Sequence, residues 1–122
     1  MRPALLTALA ASALLAACMT PPPPPGFEPV TTPGQFVDRV AGRPITFANG
    51  GVLIANPDGS FDGNFDGQTP VGNWAFRDGQ LCRTIRIGAE QFPEVCNRLE
   101  ARPGSVRFFN PDGTLSAEAE LG

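Results

Sequence analysis

The sequence predicts a small, mainly β domain, an antiparallel meander of barrel-like or sandwich form with one short helix before it. Three observations predict it. Short apolar runs rich in Val, Ile, Phe and Leu recur along 44–122, each of strand length. Turn signals separate these runs: Asn49-Gly50-Gly51, Asn56-Pro57-Asp58-Gly59, Asp78-Gly79, Pro103-Gly104 and Asn110-Pro111-Asp112-Gly113. Between the second and third signals, 60–66 alternates cleanly, with Phe61, Gly63 and Phe65 on one face and Ser60, Asp62, Asn64 and Asp66 on the other. Period two is the mark of a half-buried strand.

The chain does not begin with that domain. Met1-Arg2 is followed by small and apolar residues up to Ala17, and no acidic residue precedes Glu28. A basic start, a short apolar stretch and small residues before a cut make a secretory signal. The stretch is shorter than the roughly 20 residues a bilayer crossing needs. Leu15-Ala16-Ala17-Cys18 resembles the lipobox of bacterial lipoprotein precursors. That resemblance implies removal of 1–17, a thioether-linked diacylglycerol on Cys18, and a further acyl chain such as palmitate on the new amino group. One myristoyl-length chain holds a protein only marginally, at about 0.8 kcal/mol per buried methylene, whereas two or three hold it stably. Met19 stands where an inner-membrane retention aspartate would, so the same resemblance favours the periplasmic face of the outer membrane. The next segment completes a lipidated, proline-rich linker over 18–32. Its five consecutive prolines, from Pro21 to Pro25, favour polyproline II, a stiff rise of about 3.1 Å per residue. It reads as a spacer.

The β domain is expected over 33–122. Thr32-Pro33 is a hydroxyl cap followed by proline at the first helical position. Phe36, Val37 and Val40 then share a helical face and Gly42 suits the end, so a helix over 33–41 is predicted, packing Phe36 and Val40 on the domain. Ile45-Thr46-Phe47 and Val52-Leu53-Ile54-Ala55 flank the Asn49-Gly50-Gly51 hairpin turn. After the alternating strand at 60–66, Gly72-Asn73-Trp74-Ala75-Phe76-Arg77 puts Trp74 and Phe76 on one face. Asp78-Gly79 turns the chain into a strand at 81–87, and a further strand is expected at 95–99. Strands at 106–109 and 114–121 close the count at seven or eight. The turn Asn56-Pro57-Asp58-Gly59-Ser60 nearly recurs as Asn110-Pro111-Asp112-Gly113-Thr114, a likeness that turn chemistry alone explains.

Composition narrows the partners. The precursor carries a formal charge of −3, and losing Arg2 with the signal makes the mature chain more acidic. It contains no lysine, histidine or tyrosine. Without a basic stripe, nucleic acid is not an expected partner. A domain of this size buries only about 60–65% of its unfolded surface, so a covalent staple is useful. With Cys18 lipidated, as the lipobox resemblance implies, Cys82 and Cys96 remain as the disulfide pair of an oxidising compartment. In outline the helix, the Gly72-x-Trp74 strand, the Asp78-Gly79 turn and the paired cysteines resemble short exported lipoproteins of proteobacteria. The stretch from Trp74 to Cys96 is also similar to small periplasmic β-barrel protease inhibitors, which join a disulfide to a tryptophan-bearing strand.

Four constellations could carry chemistry. Asp62, Asn64 and Asp66 followed by Gly67 match the start of a calcium loop. The match then fails, because Asn73 stands where a bidentate glutamate is needed and Pro70 interrupts the loop. Catalysis would fall to carboxylates, or to Ser60, Ser105 or Ser116 without a base, so no enzyme and no cofactor are expected. Trp74 and Phe76, with Phe61 and Phe65, face either a ligand or the core. Arg83 and Arg86, with Arg98 and Arg107, form a basic outer face if strand alternation turns them outward. The expectation is therefore a membrane-anchored, non-catalytic envelope protein that binds an envelope protein, a glycan or a small ligand, or has a structural role. The alternative is a periplasmic inhibitor of a protease or lysozyme.

Overall fold

The structure, a computed structural model, describes residues 26–122. The export signal, Cys18 and the proline run lie outside the described residues.

Thr32 caps the helix as its sequence suggests. Its Oγ1 accepts the Gln35 N–H at 3.2 Å, and the Gln35 side chain returns to accept the Thr31 N–H at 2.8 Å. The helix, α1 (Pro33–Arg39), ends before the expected 41, with Val40 as its cap. Gly42 then takes a positive φ of 77°. Phe36 and Val40 are buried, and Val37 stays exposed.

A strand not expected from the sequence precedes the helix: β1 (Glu28–Val30). Among the described residues the sheet thus takes in 28–30, part of what reads as linker. Pro29 hides the strand from sequence patterns, but an edge strand tolerates its missing N–H. Val30 is the residue that fixes it, being completely buried.

The remaining strands are β2 (Ile45–Thr46), β3 (Val52–Ala55), β4 (Phe61–Asn64), β5 (Val71–Arg77), β6 (Gln80–Ile87), β7 (Glu90–Arg102), β8 (Ser105–Phe109) and β9 (Leu115–Leu121). They run up and down in chain order, and β9 returns to β2 through Ile45 opposite Leu121. Only β4 and β5 lack a full ladder. They meet at the bridge Ser60–Asn73, where the Trp74 N–H donates to the Gly59 carbonyl at 2.8 Å. The result is a mainly β, antiparallel, nearly closed barrel, and β1 lies along the second half of β7.

Two further details position the site. The Asp78-Gly79 turn has both residues at positive φ, 52° and 74°, the primed hairpin geometry. Strand β7 is longer than the expected 95–99, because it continues through Pro93 by a bulge. Arg83 faces Val95 and Ile85 faces Phe92, so Pro93 and Glu94 together oppose Thr84.

The barrel has unlike ends. One is covered by α1, whose Phe36 ring packs 4.7 Å from Trp74 and 5.4 Å from Phe76. The chain also arrives at this end: Glu28 pairs with Ala101, and the Phe27 ring sits under the guanidinium groups of Arg102 and Arg107, at 4.4 and 3.8 Å. The other end carries the turns at 48–51, 65–68, 88–89 and 110–113, and the described residues place no helix over it. Among the described residues no helix is long and apolar enough to cross a membrane.

Candidate functional site

The uncovered end of the barrel holds a recess of about 280 Å³. Its wall is made by side chains that the strand period points inward. Phe47 and Phe65 extend the inner faces of β2 and β4, Ile85 and Ile87 lie on β6, and Phe92 and Val95 lie on β7, with Leu53 and Pro93 completing it. Three rings lead inward from the mouth: Phe65 stands 6.4 Å from Phe47, and Phe47 stands 6.0 Å from Phe108.

One charged residue lines this apolar recess, Arg83. Leu81, Arg83 and Ile85 share the inner face of β6, where Arg83 is flanked across the ladder by Trp74 and Val95. Its guanidinium carbon lies 5.7 Å from the centroid of the Phe108 ring, and its Nη1 donates to Asn97 Oδ1 at 2.6 Å. Asn97 is itself buried, and its Nδ2 donates to the Phe109 carbonyl at 3.0 Å, which turns Oδ1 toward the arginine. Arg83 takes no part in the ion pairs formed among the described residues, which join Arg39 to Glu28, Arg77 to Glu94, Arg98 to Glu100 and Arg107 to Glu118. Burial lowers its pKa below that of a free arginine. An arginine nevertheless keeps its charge in a protein.

A second hollow, of about 320 Å³, lies at the covered end between Gly26, Arg43 and Arg102. Its charges are mixed, and Arg39 and Glu28 pair across it at 3.2 Å. Its other arginines, Arg43 and Arg102, are exposed to water, whereas Arg83 is half-buried.

The other residues singled out by sequence fall elsewhere. Trp74 and Phe76 pack against Phe36 under the helix, and neither lines the recess. The Trp74 indole N–H donates to the Asn56 carbonyl at 2.9 Å, so its polar atom serves the fold. Asp62 accepts from Asn56 Nδ2 at 3.0 Å, Asn64 Oδ1 accepts the Gly67 N–H at 2.8 Å, and Asp66 takes a positive φ of 51° in the turn. Asp62 and Asn64 are thus each engaged with a turn, one at either end of β4. Ser60 donates its hydroxyl to Asp58.

Cys82 and Cys96 form the expected disulfide, joining directly opposed residues of β6 and β7 with Cα atoms 4.0 Å apart. Glu94 lies within reach of both sulfurs, but sulfurs bonded to each other are not thiolate ligands for a metal. The proposed basic outer face loses Arg83 to the interior, while Arg98 lies over the Phe109 ring at 4.6 Å. Sequence reasoning singled out Arg83 but turned it outward, and it missed Asn97. The available signal was the period of β6, since Arg83 can face outward only if Leu81 and Ile85 do so too. Set against protein-family models, curated proteins and solved structures, the chain matches none of them.

Proposed function

We propose that this protein is a lipid-anchored, non-catalytic binding module of the cell envelope. In this reading acylated Cys18 holds it on the membrane, favouring the periplasmic face of the outer membrane, and the barrel does the binding. The observation that carries the binding part is an apolar recess that no helix covers, with an arginine that no acidic residue answers, among the described residues. Such a combination, mostly apolar walls with a few placed polar groups, is the usual make-up of a small-ligand site. The anchor part is supported by Leu15-Ala16-Ala17-Cys18 after a signal-like stretch.

Both parts are tested on the full-length protein with a carboxy-terminal tag. Labelled palmitate should enter the wild type and not Cys18→Ser, and the variant should leave the membrane fraction. Crosslinking in the native envelope, followed by native mass spectrometry, should yield a stoichiometric small ligand or envelope partner. An unacylated wild type, or a protein recovered without any bound species, counts against the corresponding part. The rival reading is an inhibitor of a protease or lysozyme, favoured by the disulfide that joins β6 to β7 beside the Trp74 strand. It requires dose-dependent loss of hydrolase activity.

A further inference from the structure

We propose that the recess takes a single-chain amphiphile with a carboxylate head, a medium-chain fatty acid, whose head meets Arg83 and whose chain lies along Phe47, Phe65 and Phe92. This rests on the binding-module reading and names its ligand class. Five N–H donors are available on a guanidinium. Among the described residues, only the Nη1 donation to Asn97 is made to a protein acceptor, and that acceptor is neutral. Arg83 is half-buried; a cation drawn partly out of water without an opposite charge carries a cost, and a carboxylate in the same apolar surroundings offsets it through short, charge-assisted bonds. The planar fork of arginine suits two carboxylate oxygens at once. Asn97, held by the Phe109 carbonyl, fixes the fork before any ligand arrives.

Size and charge narrow the class. The recess, at about 280 Å³, sits at the lower edge of small-ligand pockets, which span about 300–1,000 Å³. One short or medium chain suits it better than a two-chain lipid. A single cation lines it, with Asn49 the only other polar side chain, and Asn49 Oδ1 is already accepting the Gly51 N–H at 2.8 Å. One positive charge without a second cation matches a monoanionic carboxylate rather than a phosphate dianion.

The test is calorimetric titration of the mature chain carrying Cys18→Ser, so that no acyl chain of its own competes. The probes are decanoate, decanol and decylammonium, each below its aggregation concentration. Decanoate should bind with one-to-one stoichiometry, decanol more weakly by roughly 10- to 100-fold, the range set by losing a charged hydrogen bond, and decylammonium not measurably. Arg83→Gln should bring decanoate down to the level of decanol. Val95→Glu keeps Arg83 and supplies a carboxylate directly across the ladder from it, at a position 38% exposed. It should abolish the preference for decanoate even if Arg83→Gln folds poorly. Equal binding of decanoate and decanol by the wild type overturns the role of Arg83 while leaving the binding module standing. A folded wild type that takes neither probe overturns the fatty-acid inference, and the crosslinked species then decides the broader reading by itself.

Discussion

Asp58 and Asp112 occupy equivalent places in twin turns and are held in the same way. Each carboxylate accepts the hydroxyl of the residue two positions on, Ser60 or Thr114, at 2.6 Å, and its backbone N–H at 2.9 Å. The hydroxyl bond is the larger cause, and both pKa values lie below the ordinary 3.8. A carboxyl group whose pKa is depressed by folding adds stability above its unfolded value, and that stability is lost as pH falls through the folded value. Urea midpoints taken from about pH 5 down to about pH 2 should therefore fall more steeply for the wild type than for Asp58→Asn/Asp112→Asn. Parallel curves would mean the two turns are not acid-sensitive. Glycines separate by the same local reasoning. A Cβ at Gly72 would overlap the Thr84 carbonyl oxygen, whereas one at Gly34 meets nothing. Gly72→Ala should cost about 1–3 kcal/mol through forced strand separation, and Gly34→Ala should stabilise by about 0.5–1 kcal/mol through helix propensity, both read from denaturant midpoints. At this scale the turn residues were legible because their side chains act on their own backbone. Arg83 was not, because an arginine on a strand turns outward by default, and only the closed barrel shows what Leu81 and Ile85 require of it.

Among the elements, hairpins were easier to read than strand ends. Asn49-Gly50-Gly51 and Asp78-Gly79 each specify a turn from adjacent residues, and β2–β3 and β5–β6 follow from them. Strands β1 and the first half of β7 were hidden by Pro29 and Pro93. A proline argues against a central strand, and only tertiary pairing reveals an edge or a bulge that accepts it. The disulfide binds the very strand pair that carries Arg83 and Asn97, fourteen residues apart in sequence at its cysteines. Closing a loop of that size constrains the unfolded chain by about 3 kcal/mol. For a domain of this length, about 4–8 °C accompanies each kcal/mol, so Cys82→Ala/Cys96→Ala should melt about 12–24 °C lower. Calorimetry under non-reducing conditions checks this. An unchanged melting temperature would place the stability of the β6–β7 pair in its ladder and core alone.

For the whole molecule, the polarity of the barrel matters most. The chain arrives at the covered end, where Phe27 is clasped by Arg102 and Arg107, and the recess opens at the other end. If Cys18 is the anchor, its linker attaches beneath the helix-covered end, so the mouth points away from the membrane and draws its ligand from the aqueous side. Only eight residues, 19–26, separate Cys18 from Phe27, and a chain reaches at most about 3.6 Å per residue. The covered end should then remain close to the lipid surface. Two exposed turn residues report on this, Ala89 at the mouth and Pro103 beside the tether. In lipidated protein reconstituted on vesicles, Ala89→Cys should react several-fold faster than Pro103→Cys with a bulky polyethylene glycol maleimide. With the unanchored Cys18→Ser form the two rates should become alike, which separates shielding by the bilayer from local reactivity. Equal rates on vesicles would mean that the linker lets the barrel tumble freely, and the outward-facing mouth would no longer follow from the fold.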